Sequence, residues 1–507
     1  MIEDQVKIHN KFSFELKLGF TARRKKSRND FVVNSWVFIP NSLDINPYTY
    51  EKKDFYRDLK SNIRLITPVY LLRDILGGKT SPISFLEEAL KQVSSDPTRT
   101  SISNYEYHIK MFVSIVKSAV RNETNHILAN KINDDKDFLI ESYVNNITQI
   151  LKSYRGLRRT INVPTIEQQL LNYFFFGDTF MSNVVEQHAF RMVEQLRQKD
   201  SKKHDKAISQ LISLIKKERE YKTAQGFPVT TNQKASKNRL LVHQFSTIKK
   251  YAENVLFLSA KRKKDGILKE QIFLSLAAGI SMIFATAIAF SFQRTYGNLT
   301  MPFFVALVVS YMLKDRIKEL GRYYFAHKLG RNYFDHKTRI ALNNNNIGWS
   351  KEAVDFISED NTPPEVIRIR NRSAILEADN RNNNEKIILY RKRVRLNRKN
   401  LDKCGVYPVN GINEIIRFNI FNFTTKMDNP EVPLYVLGKD DIPIRIKGEK
   451  IYFLNLIMQF RFEEQLEYRR YRLVMNRMGI KEIETLDAFP SARTVSQPTS
   501  PLNKPKL

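Results

Sequence analysis

Apolar and polar residues alternate regularly at the start of the chain. Val6, Ile8, Phe12, Phe14, Leu16, Leu18 and Phe20 are separated by Lys7, His9, Lys11, Ser13, Glu15 and Lys17. Period two over this length predicts a strand with one buried face. A basic connection, TARRKKSRND, leads to FVVNSWVFIP, which ends at Pro40. The two apolar segments are expected to form an antiparallel β-hairpin within a region 1–78. From 79 to 225 the period becomes helical: Ile109, Phe112, Val113, Val116 and Val120 share one face, as do Leu139, Val144, Ile147 and Leu151. This predicts a helical bundle. Residues 226–270 follow as a polar linker and a basic juxtamembrane helix.

The pattern then disappears into uniform apolarity. Residues 272–292, IFLSLAAGISMIFATAIAFSF, hold 21 positions without a charge. As a helix they reach roughly 31 Å, the thickness of a hydrocarbon core. A core helix of a soluble domain rarely runs so far without a polar face. A second run, LTMPFFVALVVSYML (299–313), follows the polar connection QRTYGN. Lys314 and Arg316 can snorkel to the interface at its end. Together they predict a transmembrane α-helical hairpin over 271–313. Lys261, Arg262, Lys263, Lys264 and Lys269 precede it and Lys314, Arg316, Lys318, Arg322 and Lys328 follow, with only Arg294 between. The positive-inside bias therefore puts both termini in the cytoplasm. Ala277, Ser281, Ala285 and Ala289 recur at i+4, and Ala306 and Ser310 share that spacing, a ridge that admits close packing by the second helix or by another copy of the chain. The apolar runs contain no ionisable residue, which argues against a proton relay.

Beyond the hairpin a basic juxtamembrane helix is expected over 314–345 and a polar linker, marked by NNNNIG and SEDNTPPEV, over 346–380. Strand patterns return in 381–487. In LYRKRVRLNRK, Tyr390, Lys392, Val394 and Leu396 face one way and Arg391, Arg393 and Arg395 the other. A helix is expected within 453–480, and the Pro/Ser-rich 488–507 is expected to be disordered. The fold class is thus α+β with a transmembrane α-helical hairpin: an N-terminal antiparallel β-hairpin plus helical bundle, and a C-terminal β-rich cytoplasmic part.

Charge sharpens this picture. Lys and Arg number 83 against 53 Asp and Glu, a net +30, which favours polyanions. The single cysteine, Cys404, excludes an intramolecular disulfide and a thiolate zinc site. The charged N-terminus shows no secretory signal. No phosphate-cradling glycine loop and no metal-binding histidine pair occurs. Neither a catalytic site nor a cofactor is expected. The adjacent carboxylates Glu87/Glu88, Asp440/Asp441 and Glu463/Glu464 diverge in space as sequence neighbours do and suit acid–base work poorly.

Two basic groups are candidate contacts for an anionic partner: Lys261, Arg262, Lys263 and Lys264 before the hairpin, and Arg391, Arg393 and Arg395 within the basic stretch 368–403. Each basic residue near an anionic leaflet is worth about 1 kcal/mol. The expectation is an integral membrane protein acting as scaffold or regulator, its partners being anionic headgroups, a cytoplasmic protein or a second copy. A membrane-tethered nucleic-acid binder using 368–403, with Tyr390 stacking on a base, is the alternative. An oligomeric membrane-disrupting effector or a membrane-bound enzyme has less support.

Overall fold

The computed structural model describes residues 1–487 except 79, 131, 163–166, 201–203, 231–234, 298–299, 325–333, 343–344, 374, 376, 378–384, 404 and 439–440. Cys404, Lys328, Asp440 and the tail 488–507 lie outside the described residues. The chain forms two compact units. One comprises 1–63, 259–401 and the chain from 411 onward; the other comprises Arg64–Leu258 and Asp402–Asn410.

The first unit takes its strands from three separated segments of the sequence. They are β1 (Ile2–Asn10), β2 (Ser13–Thr21), β3 (Arg28–Ile39), β4 (Leu59–Leu65), β5 (Ser259–Lys264), β6 (His336–Leu342), β7 (Asn345–Ile357), β8 (Lys386–Asn397), β9 (Gly411–Asn419), β10 (Glu431–Leu437), β11 (Pro443–Glu449), β12 (Tyr452–Phe462), β13 (Gln465–Asn476) and β14 (Gly479–Leu486). A four-stranded sheet runs β1-β2-β9-β4, and an eight-stranded sheet runs β14-β13-β12-β3-β8-β7-β6-β5. β10 and β11 form a separate two-stranded ribbon.

The two large sheets face each other across a shared apolar layer. Leu16, Leu18 and Phe20 of β2 and Ile412 and Ile416 of β9 are buried on one side, Phe31, Val33, Val394, Leu396, Leu454 and Leu456 on the other. The Phe20 and Phe31 rings meet at 5.4 Å across this layer. Alternation along each strand dictates this arrangement, since every second side chain leaves the sheet on the same face.

Several sequence expectations change here. The N-terminal alternation is two strands, turned where the Asn10 side chain accepts from the Phe12 amide at 3.0 Å. β2 pairs with β1 and β9, while β3 pairs with β8 and β12, so the expected hairpin between 6–20 and 31–40 does not form. The helix expected within 453–480 is instead the hairpin β12–β13. Leu454, Leu456, Met458, Phe460 and Phe462 alternate inward along β12, and Glu463 turns the chain with a left-handed φ of 57°. Residues 261–264 are strand rather than juxtamembrane helix. The stretch expected to be a linker supplies β7 and the short helix Pro364–Arg370, whose Val366 and Ile369 pack on Trp36, Phe38, Ile387 and Ile457.

The second unit is helical. Its main helices are Pro82–Ser95, Arg99–Ala129, Asn133–Gly156, Gln168–Asp200, Asp205–Ala224 and Ala235–Glu253. Ile109, Phe112, Val113, Val116 and Val120 are buried on the second of these. Phe112, Tyr154 and Phe174 form a stacked column, with centroid separations of 5.6 and 4.5 Å. Arg155 is fixed beside it by Glu218 at 2.7 Å and Asp178 at 3.1 Å.

Between β5 and β6 the chain makes two long helices, α1 (Ile267–Tyr296) and α2 (Met301–Tyr324). Gly266, at φ 77°, turns the end of β5 into α1, a conformation that glycine adopts without strain. Within α1, Glu270–Tyr296 is long and apolar enough to cross a membrane, and only 6 % of its apolar window is buried. It is the one such helix among the described residues. The apolar part of α2 gives way to Lys314, Asp315 and Arg316.

Candidate functional site

Strand parity sorts the basic residues. In antiparallel sheets, directly opposed residues share a face. Lys263 opposes Lys337 on β6, Lys337 opposes Lys351 on β7, and Lys351 opposes Arg393 on β8. Arg393 opposes Val32 on β3, which opposes Arg461 on β12. At about 4.8 Å per strand this row of cations crosses about 24 Å of sheet. A parallel row holds Lys261, Arg339, Trp349, Arg395 and Asp30. The Trp349 ring is approached by Arg395 at 5.1 Å, Lys351 at 5.5 Å and Lys337 at 5.7 Å.

Carboxylates compensate this face only in part. Asp30 holds Arg395 at 2.8 Å and Arg393 at 3.6 Å. Asp265 holds Lys351 at 2.7 Å, and Asp355 holds Arg391 at 2.9 Å. Lys261, Lys263, Lys337, Arg339 and Arg461 have no carboxylate partner among the described residues. Like charges directly opposite each other destabilise a sheet. The row therefore opposes folding locally, and an external anion would relieve it.

The opposite parity is neutralised, buried at Lys392 and Glu352 but exposed at the β5 edge. Arg262 reaches Glu352 at 2.7 Å and lies 4.6 Å over the Tyr56 ring. Lys264 pairs with Glu270 at 3.2 Å. Lys392, between the sheets, contacts Glu414 of the facing sheet and Glu352 at 3.6 Å, while Tyr390 donates to Glu352 at 2.7 Å. Burial alone would drive the proton from Lys392, but the two carboxylates outweigh it and hold its pKa above the usual lysine value. Burial likewise pushes the Glu352 carboxyl up, and Lys392 and Arg262 bring it below the ordinary glutamate value. This cluster is a charge-balanced support for the sandwich.

The predicted contacts thus divide. Lys261, Lys263, Arg391, Arg393 and Arg395 come together on the outer face; Arg262 and Lys264 do not. Farther along the basic stretch, Arg370 and Arg372 are committed to Glu385, with Arg372 also on Glu359. Tyr390 is buried, so it offers no exposed ring for stacking. Lys337, Arg339, Trp349, Lys351 and Arg461 escaped sequence reading. The alternation of Lys337 and Arg339 in HKTRIAL was the available signal, masked by the expectation of a continuing helix.

The small-residue ridge lies along the α1–α2 contact. Ser281, Ala306 and Ser310 are buried and Ala277, Ala285 and Ala289 are half-buried. A Cβ added to Gly321 would stand 2.7 Å from the Ala277 Cβ, so this crossing requires the glycine, which sequence reading also missed. Ser281 and Ser310 donate to carbonyls of their own helices, Ala278 and Leu307. The helices therefore meet by packing at these positions.

Among the described residues no cluster of His, Cys, Asp and Glu is arranged to hold a metal ion. No family model, no curated protein and no solved structure matches the chain.

Proposed function

We propose that the chain is an integral membrane protein crossing the bilayer twice, with both termini cytoplasmic, and that its cationic sheet face rests on anionic headgroups. In this reading it is a scaffold or regulator held at the membrane. The observation that carries it is the topology at the sheet edge. β5 enters α1 and β6 follows α2, so the strands flanking the apolar pair carry the unneutralised Lys261, Lys263, Lys337 and Arg339. Each such residue near an anionic leaflet contributes about 1 kcal/mol. Trp349, amid the cations, has the amphipathic ring favoured at headgroup level. The second span is short, and Lys314 and Arg316 complete it by snorkelling.

The two tryptophans give a direct test. Trp36 lies under a helix, so a Trp36→Phe variant leaves Trp349 as the sole indole reporter. In proteoliposomes, brominated phosphatidylserine is expected to quench Trp349 more strongly than brominated phosphatidylcholine. Equal quenching, or none, refutes the headgroup contact. Release of the chain from membranes by alkaline carbonate refutes the two spans.

The cations around Trp349 also favour a second reading, a membrane-tethered nucleic-acid binder, since aromatic rings flanked by Arg and Lys stack bases and track phosphates. Nuclease-sensitive absorbance at 260 nm in the purified protein would raise this reading above the first.

A further inference from the structure

At the β3–β12 end of the cationic row the sheet is indented. Lys26, Arg28, Asn29, Asp30, Val32, Phe334, Arg393, Arg461 and Glu463 line a groove of about 440 Å³. That volume lies in the range of small-molecule sites. We propose that this groove binds a small anion carrying two or more phosphate groups. The inference refines the headgroup reading above, and the shared chemistry belongs to a polyphosphorylated lipid headgroup or to a soluble polyphosphate.

The arrangement of charge is the reason. Glu463 is shared by Lys26 at 2.7 Å and Arg23 at 2.8 Å, and Asp30 by Arg395 and Arg393. Each carboxylate thus orients two cations and neutralises the charge of one. Arg28 and Arg461 have no carboxylate partner among the described residues, and they reach the groove from two different strands. The Arg393 Nε is buried without an acceptor. Guanidinium forks on separate strands match several phosphate oxygens better than a single carboxylate. Val32 and Phe334 add an apolar wall for the ring or chain that carries the phosphates. The basic connection between β2 and β3 thereby contributes Lys26 to the groove.

Isothermal titration of the full chain in detergent with inositol 1,4,5-trisphosphate, at physiological salt, tests the site. Saturable binding is expected, weakened at least tenfold by Arg28→Gln and again by Arg461→Gln. Arg461→Lys should restore part of the loss, because charge returns without the fork. Lys263→Gln, at the far end of the row, should change the affinity less than threefold. Nanodiscs with phosphatidylinositol bisphosphate that displace the trisphosphate, where phosphatidylserine discs of equal charge do not, identify a lipid ligand. Displacement by neither identifies a soluble one. Absence of binding, or binding indifferent to both glutamine variants, overturns the proposal. Carbonate extraction reports separately on the membrane reading, so the two failures are distinguishable.

Discussion

Lys392 and Arg393 are neighbours on β8, and the fold treats their charges in opposite ways. Lys392 projects between the sheets, 2 % exposed, where Glu414 and Glu352 neutralise it. Arg393 projects outward, 42 % exposed, into a row where its cross-strand neighbour is Lys351. A charge that serves the fold is answered by the fold. Arg393 shares the single carboxylate of Asp30 with Arg395, so its row keeps an excess of positive charge.

Breaking the inner arrangement should cost most. Lys392→Met leaves two carboxylates in the sandwich without their common cation, and a loss of about 3–5 kcal/mol is expected in chemical unfolding. Adding Glu414→Gln to that variant should recover part of it. Next in size, Ala285→Arg places a cation midway along the apolar helix and should cost about 2.5–3.5 kcal/mol of insertion free energy, read as the fraction resisting carbonate extraction. Unchanged extraction would count against a lipid-facing or bilayer-buried α1.

The helical unit supplies a titration that contrasts with both faces. Burial lowers His108 to about 4, where its Nδ1 lies 2.9 Å from the Tyr407 hydroxyl. Burial, with Arg191, Arg121 and Lys117 nearby, lowers His188 to about 4 as well. Both fall below the unfolded value near 6.5, so the unfolded chain binds protons first as pH drops. Their stabilisation is complete above about pH 6.5 and is lost progressively toward pH 4. Replacing His108 by Gln should flatten that slope in thermal unfolding followed from pH 7 to pH 4.

The smallest expected effect is the most discriminating. Lys337→Gln removes a like-charge contact with Lys263 and Lys351, so stability should rise by about 0.2–1 kcal/mol. The same change should weaken contact with an anionic surface by about 1 kcal/mol, measured by Trp349 quenching. Opposite signs in the two assays support a row kept for an external partner. A parallel fall in both would make Lys337 structural.

Local pattern made some of this molecule legible. The alternation of β2 and β8 and the unbroken apolarity of α1 are each carried by neighbouring residues, so they can be read in place. β12 reads locally as a helix because Leu, Met and Phe suit either element and the adjacent Glu463 and Glu464 do not announce a turn. Its conformation is fixed by pairing with β3, more than four hundred residues earlier. The candidate site was half legible for the same reason. Arg391, Arg393 and Arg395 declare their common face locally, whereas their alignment with Lys351, Lys337 and Lys263 depends on register across four strands. Parity also decided which of the four residues 261–264 belong to it.

The interleaving of distant strands sets a clock on synthesis. Thr21 pairs with Gly411, so β2 emerges from the ribosome ~400 residues before its β9 partner, a wait of roughly 20–80 seconds at 5–20 residues per second. During that interval the helical unit and the apolar pair are synthesised, while Leu16, Leu18 and Phe20 still lack their β9 neighbours. Long-range pairing is slow and exposed to aggregation. The sandwich can therefore close only late in synthesis, after α1 and α2 have been made.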